Sequence, residues 1–276
     1  MIIVGVDGSA TGLQAVSWAA EEAKLRSSPL QVVHVMPRWA HTMSVDAEHA
    51  EVGAWMRDGA RTVLHDAVEL VRKRTPEVRV HSELLGGDPR DLLPQAAEGA
   101  EMLVVGNHGL GGFRGLLLGS VALGVSGRSA VPVVVVRDGR GERRGPVVVG
   151  VDGSAAGETA LGFAFEQAAL YGVELHAVRA WRRQPFDPAD PERTAEVEEK
   201  RVLAVSLTPW QERYPDVKVV GLVENAHPVD ALLGASADAG LLVVGSRGRG
   251  ELAGLFLGSV SHALLHHAEC AVAVCR

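Results

Sequence analysis

Cysteine is nearly absent: the 276 residues contain two, Cys270 and Cys275, both in one apolar run near the C-terminus. Two such residues make no disulfide framework, and a reducing compartment fits them. No apolar run approaches the ~18 residues that a membrane-crossing helix needs. The opening, Met1-Ile2-Ile3-Val4-Gly5-Val6-Asp7, has no basic stretch and no small-residue cleavage pattern. The expectation is therefore a cytoplasmic protein with no membrane partner. An excess of positive charge is also missing, since 27 Lys and Arg face 34 Asp and Glu for a net charge of −7. That sign is wrong for a broad footprint on a phosphate backbone, so nucleic acid is not an expected partner. With 47% hydrophobic and 22% charged residues, the chain has the apolar material to fold.

What is present is repetition. Val4-Gly5-Val6-Asp7-Gly8-Ser9-Ala10 returns 145 residues later as Val149-Gly150-Val151-Asp152-Gly153-Ser154-Ala155. Leu103-Val104-Val105-Gly106 returns as Leu242-Val243-Val244-Gly245 at an offset of 139, so a loop between the two motifs is six residues shorter in the second copy. At that offset, residues 89–121 and 228–260 agree at 17 of 33 positions, which marks a duplicated domain. The length suits two domains of ordinary size.

Within each copy, short apolar runs alternate with longer amphipathic segments, the pattern of parallel strands joined by crossover helices. In the first copy, strands are expected at about Ile2–Asp7, Leu30–Met36, Val78–Leu85, Met102–Gly106 and Val131–Val136. Each reads as too continuously apolar to have a wet face. Helices fit Ala10–Arg26, Ala47–Arg74, Pro89–Glu98 and Ser120–Arg128. The predicted fold class is α/β: two tandem doubly wound sheets. Domains are expected at 1–137 and 147–276, joined by a polar, glycine-rich linker over 138–146.

Open parallel sheets bind ligands beyond the carboxyl ends of their strands, so the strand-end loops matter most. After the fourth strand come Gly106-Asn107-His108-Gly109, nine residues, and Gly119-Ser120; the second copy has Gly245-Ser246-Arg247-Gly248, nine residues, and Gly258-Ser259. Glycines at these positions let backbone approach a ligand closely. A Gly-Ser pair opening a helix offers free N–H groups, a hydroxyl and the positive dipole end, which together suit a phosphate. The spacing is not that of a Walker A loop and no lysine follows the last glycine, so fast phosphoryl transfer is not expected. Arg247 and Arg249 add charge in the second copy, where the first has His108 and Leu110, which marks the second as the stronger phosphate site. After the first strand, Asp7-Gly8-Ser9 and Asp152-Gly153-Ser154 precede a helix. These aspartates serve either as helix-cap or Asx-turn residues or as hydrogen-bond partners of a nucleoside.

The Val-Gly-Val-Asp-Gly-Ser opening, the Leu-Val-Val-Gly strand, the glycine loop and the closing apolar strand occur in this order in both halves. In this the chain resembles the tandem universal stress proteins of actinobacteria over nearly its whole length. The resemblance implies ATP-binding flavodoxin-like domains of strand order 3-2-1-4-5, with Asp7 and Asp152 near the nucleoside. It places backbone groups of Val35 and Ala180 at the adenine edge. Phosphates and ribose fall to Gly106, Gly109, Gly119 and Ser120, and to Gly245, Gly248, Gly258 and Ser259. A further serine of the family's pattern is present as Ser261 but replaced by Ala122 in the first copy. The implied cofactor is ATP, with or without magnesium, and the implied role a regulatory, nucleotide-dependent sensor or switch. The implied pairing of last strands would make the two halves an internal pseudo-dimer, and a homodimer of whole chains and a downstream protein partner stay open.

Other features have plainer explanations. His262, His266 and Cys270 are spaced like metal ligands on a helix, but Cys270 falls at or beyond the helix end and the first copy has no matching trio. Trp210 and Tyr214 read as the end of a helix packing on the sheet rather than a partner epitope. Pro37–Asp46 and Gln184–Pro191 are either flaps over a base or simple connectors. No nucleophile elbow or repeated Ser-His-Asp set is present, which leaves no residue to nominate as catalytic. The alternatives to a sensor are a weak ATPase or self-phosphorylating enzyme and a non-binding dimerisation scaffold.

Overall fold

The computed structural model describes residues 1–46, 49–109, 118–137, 145–182, 192–248 and 257–276. Two compact units emerge, Met1–Gly141 and Glu142–Arg276. Of the linker read over 138–146, residues 138–144 lie outside the described residues, as do Leu110, Arg249 and the whole of Gln184–Pro191.

The first unit runs β1 (Ile2–Val6), α1 (Ala10–Leu25), β2 (Leu30–Met36), α2 (Arg38–Thr42), α3 (Ala50–Arg74), β3 (Val80–Gly86), α4 (Pro89–Ala96), β4 (Met102–Gly106), α5 (Ser120–Ser126) and β5 (Val133–Val136). Its strands lie in the order β3-β2-β1-β4-β5 and pair in parallel throughout. The second unit repeats this as β6 (Val147–Gly150), α6 (Ala155–Tyr171), β7 (Leu175–Trp181), α7 (Glu192–Arg213), β8 (Val219–Asn225), α8 (Pro228–Ala235), β9 (Leu241–Gly245), α9 (Ser259–His267) and β10 (Ala271–Cys275). The order β8-β7-β6-β9-β10 is the same, again all parallel. Both units therefore have the predicted 3-2-1-4-5 winding.

The sheet is held by apolar strands covered on both faces. Every residue of β1 and β5 is buried, as is β4 up to Gly106. α1 covers β1 and β4 with small residues at helical spacing, Gly12, Ala15, Ala19 and Ala23, so its axis can approach the sheet closely. Ser9 caps this helix by accepting from the Gly12 N–H at 3.0 Å. In the second unit Ser154 does the same for Gly157 at 3.1 Å, and α6 ends at Gly172 in the left-handed conformation, φ 65°.

One expectation needs correction. β3 is not dry on both faces: His81, Ser82 and Glu83 are exposed, because the strand forms the edge of its sheet. The stretch after β2 is partly helical, with α2 following Pro37. Trp210 lies near the end of α7, before Pro215, and stacks on α6, its ring 6.2 Å from that of Phe165 and directly over Gly162.

Candidate functional site

Strand order reverses at β1 in the first unit, since β2 lies on one side and β4 on the other. The crevice beyond the carboxyl ends of these two strands is the natural binding place in such a sheet. A cavity of about 720 Å³ opens there. Asp7, Val35, Gly106, Gly109, Gly119 and Ser120, all singled out from the sequence, line it. The corresponding crevice of the second unit holds a cavity of about 340 Å³ lined by Asp152, Ala180, Gly245, Arg247, Gly248, Gly258, Ser259 and Ser261.

Backbone hydrogen bonds draw the separated glycines together. The Gly119 N–H donates to the Asn107 carbonyl at 2.6 Å, and Gly258 N–H to the Ser246 carbonyl at 2.7 Å. The Asn107 N–H is tied to the Val136 carbonyl at the end of β5. Thr11, in the first turn of α1, donates its hydroxyl to the His108 carbonyl at 2.7 Å. Gly106 must be glycine: a Cβ there would lie 2.9 Å from the carbonyl carbon and oxygen of Thr11.

The two readings of the aspartate prove compatible. One carboxylate oxygen of Asp7 forms an Asx-turn, accepting from the Ser9 N–H at 3.0 Å and the Ser9 hydroxyl at 2.6 Å. Oδ2 lies against Gly109, where a Cβ would approach to 2.5 Å. Asp152 repeats this, with Oδ1 bound by Ser154 and Oδ2 against Gly248, where the corresponding approach is 2.9 Å. The carboxylate therefore both ends the strand and borders the cavity. α5 and α9 open at Gly119 and Gly258 with no side-chain cap among the described residues, the kind of helix start that offers N–H groups to an anion.

Some lining residues escaped the sequence reading. His34 donates from Nδ1 to the Val6 carbonyl at 2.8 Å. At the matching place Arg179 donates from Nη1 to the Val151 carbonyl at 3.4 Å and pairs through Nε with Glu199. Trp55, Met56, Ala60 and Val63 of α3 supply the outer wall of the first cavity. The signal for His34 and Arg179 was their place one residue before Val35 and Ala180. Ser261 differs in use from the simplest expectation: its hydroxyl donates to the Gly245 carbonyl at 2.5 Å, bracing the end of β9.

Of the three spaced metal-ligand candidates, Cys270 is buried beyond the end of α9, while the His262 and His266 rings stand 4.7 Å apart. Among the described residues no group of three or more His, Cys, Asp or Glu is placed to hold a metal ion. Among them, too, no helix is long and apolar enough to cross a membrane.

A doubly wound α/β protein with a glycine-bordered cavity and a strand-end aspartate in each of two repeated units is the class these features define. The sequence model of the universal stress protein family matches residues 1–137 and 144–276. A universal stress protein of Mycobacterium tuberculosis is 38% identical over 284 residues, covering 100% of this chain and 96% of that protein. Another, from Mycolicibacterium smegmatis, is 38% identical over 283 residues with the same coverage. In fold, the chain is similar to the crystal structure of a universal stress protein from Archaeoglobus fulgidus, with a TM-score of 0.73 at 22% identity over 100% of this chain and 96% of that one. The chain belongs to the universal stress protein family.

Proposed function

We propose that the chain binds adenine nucleotide, ATP with or without magnesium, in its strand-end cavities and acts as a nucleotide-dependent regulatory protein of the cytoplasmic stress response, with little or no hydrolysis. The observation that carries this reading is the shared border of each cavity. It carries a carboxylate oxygen of a residue fixed by its own Asx-turn and the uncapped start of a helix. The carboxylate accepts hydrogen bonds from sugar hydroxyls, and the helix start donates to phosphate oxygens. Val35, on the strand beside Asp7, presents backbone to the base, and Ala180 holds the equivalent position beside Asp152. Arg247 adds a cation to the second phosphate end.

Little hydrolysis is expected because the glycine loops lack the phosphate-gripping lysine of Walker A proteins. Phosphate release by the purified chain, compared with a Gly109→Ala, Gly248→Ala double variant, separates switch from enzyme. A switch gives ATP binding with release no faster than the variant's. Sustained release that disappears in the variant would make the protein an ATPase, and absence of adenine nucleotide binding would remove the reading altogether.

A further inference from the structure

The two cavities come from one repeated sequence, yet the first is about twice the size of the second, 720 against 340 Å³. Two positions at the cavity wall differ in charge between the copies. His34 and Arg179 correspond at the 145-residue offset, and both bond the carbonyl before the aspartate. Downstream, Arg74-Thr75-Pro76-Glu77-Val78 matches Arg213-Tyr214-Pro215-Asp216-Val217 at an offset of 139, which places Ala60 opposite Glu199. The first copy thus has imidazole and methyl where the second has a guanidinium and a carboxylate.

In the first copy the space between β2 and α3 is lined by apolar groups. Met36 and Ala60 are buried in one cluster with Met56 packed against it, and all three border the cavity. Trp55 stands at the same border, 76% exposed. Thioethers and an indole face suit a flat, polarisable ring. In the second copy Arg179 is 3% exposed, lines the cavity and pairs with Glu199 across from β7 to α7. Swinging Glu199 aside would leave the buried Arg179 charge without its ion pair, a cost that stacking one base does not recover.

We propose that the first copy alone seats a nucleobase, against Met36 and Met56 with Trp55 as its outer wall, while the Arg179–Glu199 pair stands in the base's place in the second copy. This rests on reading the first cavity as an adenine-nucleotide site. It reverses the preference that Arg247 and Ser261 suggest from sequence, because Arg247 concerns phosphate, Ser261 braces the end of β9 and Arg179 concerns the base.

Calorimetric titration of the nucleotide-free, full-length chain with ATP tests it. One equivalent per chain is expected. Trp55→Ala, a change at an exposed side chain that leaves the fold alone, should weaken that binding about 10-fold. The pair Arg179→His, Glu199→Ala removes the ion pair from the base's place and should raise the count to two, whereas His34→Arg, Ala60→Glu should abolish the single equivalent. Two equal equivalents in the unaltered chain would overturn the inference while leaving nucleotide binding in place. So would unchanged affinity in Trp55→Ala, or a count still at one in a folded Arg179→His, Glu199→Ala chain. No ATP uptake by any of these proteins would defeat the nucleotide reading itself, and this inference with it.

Discussion

Gly109 shows how a single missing side chain shapes the first cavity. Its hydrogen lies where a methyl group would meet Asp7 Oδ2 at 2.5 Å, so Gly109→Ala must push the carboxylate out of its Asx-turn or shift the loop. The expected result is at least about a 10-fold loss of nucleotide affinity, which corresponds to ~1.4 kcal/mol, with a circular dichroism spectrum like that of the parent. Asp7→Glu should act in the same direction, since a longer arm cannot keep both the turn and the cavity border; unchanged affinity would take the carboxylate out of the site. Gly106 is different, because its close neighbours are backbone atoms of Thr11, which cannot rotate away. Gly106→Ala should therefore cost folding stability, about 1–3 kcal/mol in chemical denaturation, whether or not nucleotide is present. The glycine spacing made these positions legible in the sequence. The destination of the Ser261 hydroxyl was not, because only the folded chain brings the Gly245 carbonyl within reach.

Among the elements, α4 has the most clearly charged start. Asp88 caps it by accepting from the Arg90 N–H at 2.9 Å, and the Arg90 side chain binds the same carboxylate. The Arg90 guanidinium, with help from the Arg90 N–H, holds the Asp88 carboxyl down to about 2 from its ordinary 3.8. A depressed folded value means that the stabilisation is complete above the unfolded value near 4 and is lost as pH falls through about 2. Asp88→Ala should accordingly cost about 1 kcal/mol at neutral pH, the ordinary worth of an N-cap. That difference from the parent should shrink in denaturation curves taken between pH 4 and 2. A gap that stays constant across this range would mean that the charge contributes nothing. The start of α4 was legible from Pro89 at its first turn, and the central strands from their apolar runs. α2 was not, because five residues after Pro37 show no periodicity. The wet face of β3 was missed because Val80, Leu84 and Leu85 outweighed the His81-Ser82-Glu83 between them, which only an edge strand tolerates.

For the whole molecule, duplication supplied the strongest signal, since two copies at known offsets fix which residues must occupy equivalent places. The same comparison shows where the copies have parted: Ala122 against Ser261, His34 against Arg179 and Ala60 against Glu199. The first of these pairs stood out because it lies in the glycine motif. The other two did not, because their meaning depends on β2 facing α3 and β7 facing α7, a tertiary relation that no local pattern encodes. Binding of adenine nucleotide remains the central claim, and equilibrium titration of the emptied, full-length protein with ATP addresses it directly. The account predicts saturable uptake that Gly109→Ala weakens. A flat titration, with no heat and no retained nucleotide at saturating ATP, would contradict it.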